Sequence, residues 1–261
     1  MIDLNYISSF FPPRIATNAA FGKHILKEYI QVMVLDYLTT TPFISKLVFI
    51  GGTNLRLVKG IDRFSEDLDF DCKNLTEADF TEMTNGVITF LLRAGIRVEA
   101  RDKANPRLTA YRRNIYFPEF LFELGLTGHR DERFLLKIEA QDQGISYPIE
   151  MKYVQRCGYF FSVPVPTDSV LLGMKFAALL ARAKGRDFYD TMFLMQNATP
   201  SYEFLSERVG IANSEQLKQA VREKLATIDL NIKKRDFEHL LLNINSADRI
   251  LRFPELIEQS L

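Results

Sequence analysis

The fold is decided by Phe49-Ile50-Gly51-Gly52-Thr53 together with Arg63-Phe64-Ser65-Glu66-Asp67-Leu68-Asp69-Phe70-Asp71, which follows nine residues later. Asp67, Asp69 and Asp71 alternate with two apolar residues. In an extended strand, this alternation puts the three carboxylates on one face and the apolar side chains on the other. The sequence therefore predicts a strand with an acidic edge that suits a divalent cation, placed just after a small-residue turn that suits phosphate.

The composition is that of an ordinary soluble globular protein. Of the 261 residues, 47% are apolar and 25% are charged, and 33 basic side chains balance 33 acidic ones. A net charge of zero argues against a protein that coats nucleic acid through its overall field, so any such contact needs a local patch. Cys72 and Cys157 are predicted to be free thiols. With no signal-peptide pattern and no long apolar run, we expect a cytoplasmic protein without membrane contact.

The predicted secondary structure changes character at the Pro164 to Pro166 passage. Before it, helices over 19–38 and 76–94 accompany strands at 46–50, 67–71, 96–100, 114–124, 134–141 and 149–154. Thr76 is the expected N-cap of the second helix, with Asp79 as its capping-box partner. After the passage, helical periodicity runs from 167 to the end. We predict an α/β (α+β) fold with a mixed sheet of five or six strands flanked by helices over 1–165, and an all-helical domain over 166–261.

Three residue patterns suit metal-dependent phosphoryl transfer. Carboxylates are needed because the metal ions neutralise phosphate charge and align the attacking and leaving oxygens. Asp67 and Asp69 meet this need two positions apart on one strand, and Glu139 in Leu135-Leu-Lys-Ile-Glu-Ala140 is the candidate third ligand, with Lys137 on the same face. The plain alternatives are a solvated acidic edge and a surface pair between Lys137 and Glu139.

The turn Gly51-Gly52-Thr53 completes this pattern. Glycine lets backbone N–H groups approach a triphosphate closely, and Thr53 adds a hydroxyl donor. Such a turn between a strand and a helix is ordinary when it stands alone. The acidic strand that follows it favours phosphate binding, because a turn with only a structural role need not be followed by a row of carboxylates.

The stretch from Gly51 to Phe70 resembles the signature of the nucleotidyltransferase-fold superfamily. It is most similar to the AbiEii/AbiGii toxin family of abortive-infection, type IV toxin–antitoxin systems, which runs Gly-Gly-Thr, an apolar helix and then Arg-Phe-Ser-Glu-Asp-Ile/Leu-Asp. The 13 residues at 54–66 match the longer spacing of that family. Two later segments keep its order: Leu135–Ala140 resembles the third-carboxylate strand, and Lys175–Leu194 resembles a Lys followed by the helix motif Lys-x-Arg-Asp-x-Tyr-Asp.

The resemblance implies a nucleotidyltransferase that uses Mg²⁺ and an NTP, with tRNA acceptor ends as the target in some members and an antitoxin as a possible partner. It makes Asp67 and Asp69 the metal ligands and leaves Asp71 as a bystander. The predicted catalytic residues are Asp67, Asp69, Asp187 and Lys175; the predicted metal ligands are Asp67, Asp69 and Glu139; the predicted nucleotide contacts are Gly51, Gly52, Thr53, Arg63, Ser65, Lys137, Lys184 and Arg186.

Simpler interpretations remain open for several of these residues. Asp187 is suited to orient or deprotonate an acceptor hydroxyl, and Lys175 or Lys184 is suited to pair with phosphate. A charge cluster at a helix start equally explains Lys184 and Arg186 beside Asp187. Arg63 is equally suited to phosphate and to an ion pair with Glu66.

Two basic tracts are candidate RNA contacts. The first contains Arg97, Arg101, Lys103, Arg107, Arg112 and Arg113 with Tyr111 and Tyr116 among them, and the second is Lys233-Lys234-Arg235. Aromatic rings among cations suit unpaired bases. Acidic neighbours such as Glu99, Asp102 and Asp236 favour a solvated face instead.

The sequence thus predicts transfer of an NMP from an NTP to an acceptor hydroxyl, with pyrophosphate as the leaving group. The 3′ end of tRNA is the hypothesised acceptor. Two alternatives stay open: a nucleotidyltransferase that acts on a small molecule or a protein, and a catalytically silent module that binds a nucleotide or a partner protein.

Overall fold

The structure is a computed structural model that describes residues 2–102 and 109–261. The chain forms two compact units. The first comprises Met1–Lys59, Phe64–Gln143 and Met151–Val165, and the second comprises Gly60–Arg63, Gly144–Glu150 and Pro166–Leu261. The prediction divided the chain between 165 and 166, whereas the second unit also takes in two short segments from before that point.

The first unit contains a five-stranded sheet with the order β1-β2-β5-β4-β3. Its strands are β1 (Leu47–Ile50), β2 (Asp67–Cys72), β3 (Glu99–Ala100), β4 (Tyr111–Tyr116) and β5 (Leu135–Gln141). Strands β2 and β5 are parallel and the other neighbours are antiparallel. The helices of this unit are α1 (Leu4–Ser8), α2 (Pro13–Ala16), α3 (Gly22–Thr39), α4 (Gly51–Leu57), α5 (Glu77–Arg93) and α6 (Phe120–Glu123). The predicted mixed sheet with flanking helices is confirmed.

Alternation sets the two faces of the central strands. Along β5, Leu136, Ile138 and Ala140 are buried while the charged residues between them are partly exposed. Leu68 and Phe70 of β2 are buried in the same way. Because side chains alternate along a strand, burial of these apolar residues turns the charged positions of β2 and β5 to the opposite face.

The predicted start and stop of α5 are confirmed. The Thr76 hydroxyl accepts a hydrogen bond from the Asp79 N–H at 3.1 Å, and the Asp79 carboxylate accepts one from the Thr76 N–H at 2.9 Å. This reciprocal capping box satisfies backbone donors that the first helical turn leaves open. Gly95 follows the helix with φ +78°, the left-handed conformation that glycine adopts readily.

Two predicted strands are wrong in part. The strand predicted over 114–124 ends at Tyr116, and α6 follows after Pro118 and Glu119. Proline has no N–H for a sheet hydrogen bond, and Glu119 has φ +54°, so the extended chain cannot continue there. Of the strand predicted over 96–100, only Glu99–Ala100 pairs with β4.

The strand predicted over 149–154 does not join the main sheet. It is β6 (Ile149–Arg156), which pairs with β7 (Tyr159–Pro166) in a separate two-stranded sheet. Pro164 therefore lies inside a strand and Pro166 is its last residue, whereas the sequence indicated a break. In a two-stranded sheet each strand has one unpaired edge, where a residue without an N–H loses no ladder hydrogen bond.

The second unit is helical over its long C-terminal segment. Its helices are α7 (Asp168–Arg182), α8 (Gly185–Met195), α9 (Tyr202–Val209), α10 (Ser214–Leu225), α11 (Leu230–Arg235) and α12 (Phe253–Ser260), with 3₁₀ turns at Glu238–Leu240 and Ile244–Arg252. Phe188 of α8 packs edge-on against Phe253 at 5.0 Å between ring centres. Among the described residues, no helix combines the length and apolarity needed to span a bilayer. Both cysteines are free, as predicted, and both are buried.

Candidate functional site

Asp67 and Asp69 lie on the partly exposed face of β2, two positions apart. The parallel register with β5 places Asp67 beside Lys137 and Asp69 beside Glu139. Four of the predicted site residues, far apart in sequence, are thus neighbours on two adjacent strands. The register follows from burial of the apolar residues between them, because a slip by one residue would turn the charged side chains into the core.

The glycine turn lies directly against this acidic edge. Gly51 has φ +80°, and a Cβ atom at this position would come within 2.8 Å of Asp69 Cβ and closer still to its carboxylate. Only glycine allows the backbone to run so close to Asp69 without moving it. The Thr53 hydroxyl donates to the backbone carbonyl of Asp67, which ties the start of α4 to β2.

Lys137 joins two carboxylates of the acidic edge. Its Nζ lies 2.8 Å from Asp67 Oδ2 and 3.2 Å from Glu139 Oε1. Burial alone would lower the pKa of Lys137, but the hydrogen bond and charge of Asp67, together with Glu139, outweigh burial and raise it. Lys137 is therefore a permanent cation between Asp67 and Glu139.

Glu139 is shared between two cations. Arg112 Nε on β4 lies 2.7 Å from Glu139 Oε1, the same oxygen that faces Lys137. Within the described residues no well-aligned hydrogen bond reaches this buried oxygen. Arg112 was assigned to a basic tract and not to the site, because its place beside Glu139 depends on the β4–β5 register. Only a correct strand order could have revealed it.

The carboxylates of Asp67 and Asp69 fit one common mode of magnesium binding. Mg²⁺ is usually held by one or two protein carboxylates together with substrate phosphates. Asp67 and Asp69 place two carboxylates on one strand face, and their assignment as metal ligands stays a prediction. In the described part of the chain, no three His, Cys, Asp or Glu side chains are positioned to hold a metal ion together. Glu139 as a third ligand remains a prediction.

Asp71 differs from the other two aspartates of β2. It is fully buried, and its Oδ1 accepts hydrogen bonds from the backbone N–H groups of Cys72 at 2.8 Å and Gln143 at 2.9 Å. Its carboxylate thus ties the end of β2 to the end of β5. This arrangement gives Asp71 a structural role and agrees with its assignment as a bystander.

Two predicted nucleotide contacts before β2 are buried. Ser65 is 9% exposed, and its carbonyl accepts a hydrogen bond from Gln31. Arg63 is buried, and its Nε and Nη2 each donate to the Asp190 carboxylate at 2.7 Å. A direct phosphate contact by Arg63 is therefore not supported, nor is its alternative pairing with Glu66. Arg63 belongs to an ion cluster of the second unit.

Lys175 completes that cluster. Its Nζ donates to Asp190 Oδ2 at 2.8 Å, so one buried carboxylate holds two cations. Burial would raise the pKa of Asp190, but Arg63 and Lys175 hold it at about 2. Asp190 therefore stays ionised at neutral pH. Lys175 is itself buried, and its contact with Asp190 holds it in place. Its catalytic role remains a prediction.

Asp187 holds the start of α8 in place. Its side chain is fully buried; it accepts the Lys184 N–H at 3.0 Å and two hydrogen bonds from Arg182 at 2.8 and 3.0 Å. The proposed contact with an acceptor hydroxyl is not supported by this burial, which points to a positioning role. Lys184 is exposed and Arg186 is partly exposed on either side of Gly185.

The first basic tract is neutralised where the structure describes it. Arg97 pairs with Glu119, Arg101 with Glu99, Arg112 with Glu139 and Arg113 with Asp102, at 2.7 to 3.4 Å. Arg101 also lies over the Tyr116 ring at 3.7 Å. Lys103 and Arg107 lie outside the described residues. The alternative of a solvated face thus fits the described part of this tract better than RNA binding.

A family model described as nucleotidyl transferase AbiEii toxin, type IV TA system, matches residues 34–256. No curated protein matches the chain. Among solved structures, MenT4, a nucleotidyltransferase toxin from Mycobacterium tuberculosis H37Rv, is similar with a TM-score of 0.66 and 16% identity, over 99% of this chain and 90% of that chain. JHP933 from Helicobacter pylori has a TM-score of 0.51 and 20% identity over 90% and 92% of the two chains.

A putative nucleotidyltransferase from H. pylori has a TM-score of 0.50 and 19% identity, over 88% of this chain and 93% of that chain. At these identities the similarity shows the fold alone. The family match is different in kind, because it spans both the acidic strands and the α7–α8 motif. The chain therefore belongs to the AbiEii family of nucleotidyltransferase toxins of type IV toxin–antitoxin systems.

Proposed function

We propose that the chain transfers an NMP from an NTP to an acceptor hydroxyl at a centre built on Asp67 and Asp69. The observation that carries the proposal is the close approach of Gly51 to Asp69, where a side chain would not fit. Phosphate at the glycine turn and a cation at the carboxylates would then be direct neighbours. Nucleotidyl transfer needs this arrangement, since charge develops on the phosphate during the reaction.

The residues of the acidic edge and of the glycine turn would have different roles. Asp67 and Asp69 would hold Mg²⁺, which supplies neutralisation of phosphate charge and a lowered pKa of the attacking hydroxyl. The backbone N–H groups of Gly51, Gly52 and Thr53 would contact the phosphates. The Thr53 hydroxyl would not take part, because it already donates a hydrogen bond to the Asp67 carbonyl. Lys137 would present a fixed positive charge on the same face.

The residues of the α7–α8 motif would act on the nucleotide or acceptor in two ways. Lys184 and Arg186 are the accessible cations and would pair with phosphate. Asp187 and Asp190 would position them, since both are buried and hold α8 through Arg182, Arg63 and Lys175.

The 3′ end of tRNA is the proposed acceptor, supported by the family resemblance and by the exposed cations of the chain. The test is incubation of the purified protein with each of four α-labelled NTPs and total tRNA, with and without EDTA. We expect label on RNA for one or more NTPs, abolished by EDTA. Label only on a protein or a small molecule would overturn the acceptor, and no transfer from any NTP would overturn the activity.

A further inference from the structure

Two basic segments meet in the second unit, where α8 begins and α11 ends. The Gly185 N–H donates to both carboxylate oxygens of Asp236 at 3.0 Å. A Cβ atom on Gly185 would overlap the Lys233 carbonyl and come within 2.6 Å of the Phe237 ring. Gly185 thus lets the two backbones touch. The contact brings together Lys184, Arg186, Lys233 and Arg235, which we term the α8–α11 patch.

The four cations of the α8–α11 patch form no ion pair with any residue in the described ranges 2–102 and 109–261. The cations beside them are paired: Arg182 with Asp187 at 2.8 Å and Lys234 with Asp248 at 2.7 Å. Asp236 is the acidic residue within the patch, and its carboxylate accepts from Gly185. The patch therefore keeps a net positive charge in a chain whose net charge is zero.

The patch contrasts with the first basic tract, whose described arginines each face a carboxylate. Paired surface charges attract a polyanion weakly, because partner and polyanion compete for the same cation. Unpaired cations attract phosphates and release the counterions that these carry. Of the two tracts identified in the sequence, the second therefore provides the stronger local field.

We propose that the α8–α11 patch binds the phosphate backbone of RNA. The inference rests on the proposed function, in which RNA is the acceptor, and it assigns the residues that hold that RNA. A protein interface needs an apolar centre. Within residues 182–187 and 230–236, all of them described, Ile232 is the one large apolar side chain exposed to solvent. A single exposed apolar side chain is too small for such a centre, so the charge of the patch favours a phosphate backbone over an acidic protein.

The test is equilibrium binding of total tRNA, without NTP, at several salt concentrations. All variants are made in the full-length Asp67→Asn/Asp69→Asn protein, so that NTP carried over from purification cannot support transfer during the binding measurement. Adding Lys233→Gln/Arg235→Gln should weaken binding by about 10-fold at low salt and reduce the slope of log affinity against log salt by about 1.4 to 1.8, the range for two lost phosphate contacts. Lys184 and Arg186 are left intact because the proposed function already gives them a phosphate contact during transfer, so that their loss would not report on RNA binding alone.

Two controls make the test specific. The matched change Arg97→Gln/Arg101→Gln removes two paired charges and should alter affinity by less than about 2-fold. The swap Lys233→Arg/Arg235→Lys keeps the charge and should keep most of the affinity. Equal weakening by both Gln pairs, or none by Lys233→Gln/Arg235→Gln, would overturn the patch.

The outcome for the patch is separate from the outcome for the activity. Competition by polyglutamate as strong as that by tRNA at equal charge would assign the patch to an acidic protein and overturn the RNA proposal. Patch-dependent tRNA binding in a protein that transfers no label would support the patch and refute the activity. Label on tRNA with unchanged binding by the patch variant would refute the patch alone.

Discussion

Two clusters of carboxylates and cations, one in each unit, use the same residue types at different depths. Asp67, Lys137, Glu139 and Arg112 are between 22% and 34% exposed. Asp190 and Arg63 are 1% exposed, and Lys175 is 9% exposed. The first cluster is therefore partly exposed to solvent, whereas the second is closed.

The two clusters suit different roles. In the closed cluster, one buried carboxylate accepts three charge-assisted hydrogen bonds at 2.7 to 2.8 Å, so two cations already match its charge. In the open cluster, Glu139 Oε1 faces two cations without a well-aligned hydrogen bond. The closed cluster therefore fits a structural role, and the open one fits exchange of its ion pairs for a substrate.

The largest expected stability effect is at the centre of the closed cluster. Asp190→Asn leaves Arg63 and Lys175 buried without their anion and should lower the free energy of unfolding by about 3–5 kcal/mol. Lys175→Met should cost less, because Arg63 and Asp190 remain as a neutral pair. Urea unfolding of the two variants checks this order. A smaller effect for Asp190→Asn than for Lys175→Met would show that the cluster is not closed.

The same cluster predicts a dependence on acid. The pKa of Asp190 is about 2 in the folded chain, below its ordinary value of 3.8. A depressed pKa contributes stability that is present above the unfolded pKa and is lost as the pH falls through the folded pKa. Wild type should therefore lose stability between about pH 4 and pH 2 more steeply than Asp190→Asn. Parallel urea midpoints for both proteins across this window would contradict the prediction.

The next effect in size is expected at the glycine turn. Gly51→Ala introduces a side chain at φ +80° and against Asp69, and should cost about 2–3 kcal/mol and most of the transfer activity. Gly95→Ala is the matched control: its φ is +78°, but nothing lies within 4 Å of the added Cβ, so it should cost about 1 kcal/mol. Equal losses of stability and full activity in both would show that the contact with Asp69 is unimportant.

The smallest effect is expected in the open cluster. Lys137→Gln removes a cation that two partly exposed carboxylates share, and should lower the free energy of unfolding by only about 1 kcal/mol. Because the carboxylates then repel each other, millimolar Mg²⁺ should stabilise this variant more than wild type. Thermal unfolding with and without Mg²⁺ measures the difference. A loss as large as that of Asp190→Asn would remove the distinction between the two clusters.

Local chemistry made part of this structure predictable. The alternation of Asp67 to Asp71 gave the strand and its face, and Thr76 with Asp79 gave the start of α5. Each depends on neighbours within about four residues, where sequence spacing fixes geometry. The resemblance of the glycine turn and the α8 motif added the family, which the family match over residues 34–256 confirms.

Contacts between distant residues were not predictable in the same way. Arg63 meets Asp190 across 127 residues of chain, so its pairing with a near neighbour and its burial could not be told apart in sequence. The place of Arg112 beside Glu139 required the strand order β5-β4. Pro164 and Pro166 indicated a break because proline lacks an N–H, and their place in β7 depends on the pairing of a separate two-stranded sheet.

Asp67 and Asp69 are proposed to form the reacting centre, and replacing both of them tests this proposal. The rate of label transfer to tRNA should fall at least 1000-fold, about 4 kcal/mol, in Asp67→Asn/Asp69→Asn, with an unchanged fold by circular dichroism. Asp131→Asn/Asp142→Asn changes the charge equally at exposed positions and should transfer at the wild-type rate. Transfer at the wild-type rate by Asp67→Asn/Asp69→Asn would show that the reaction does not take place at these two carboxylates.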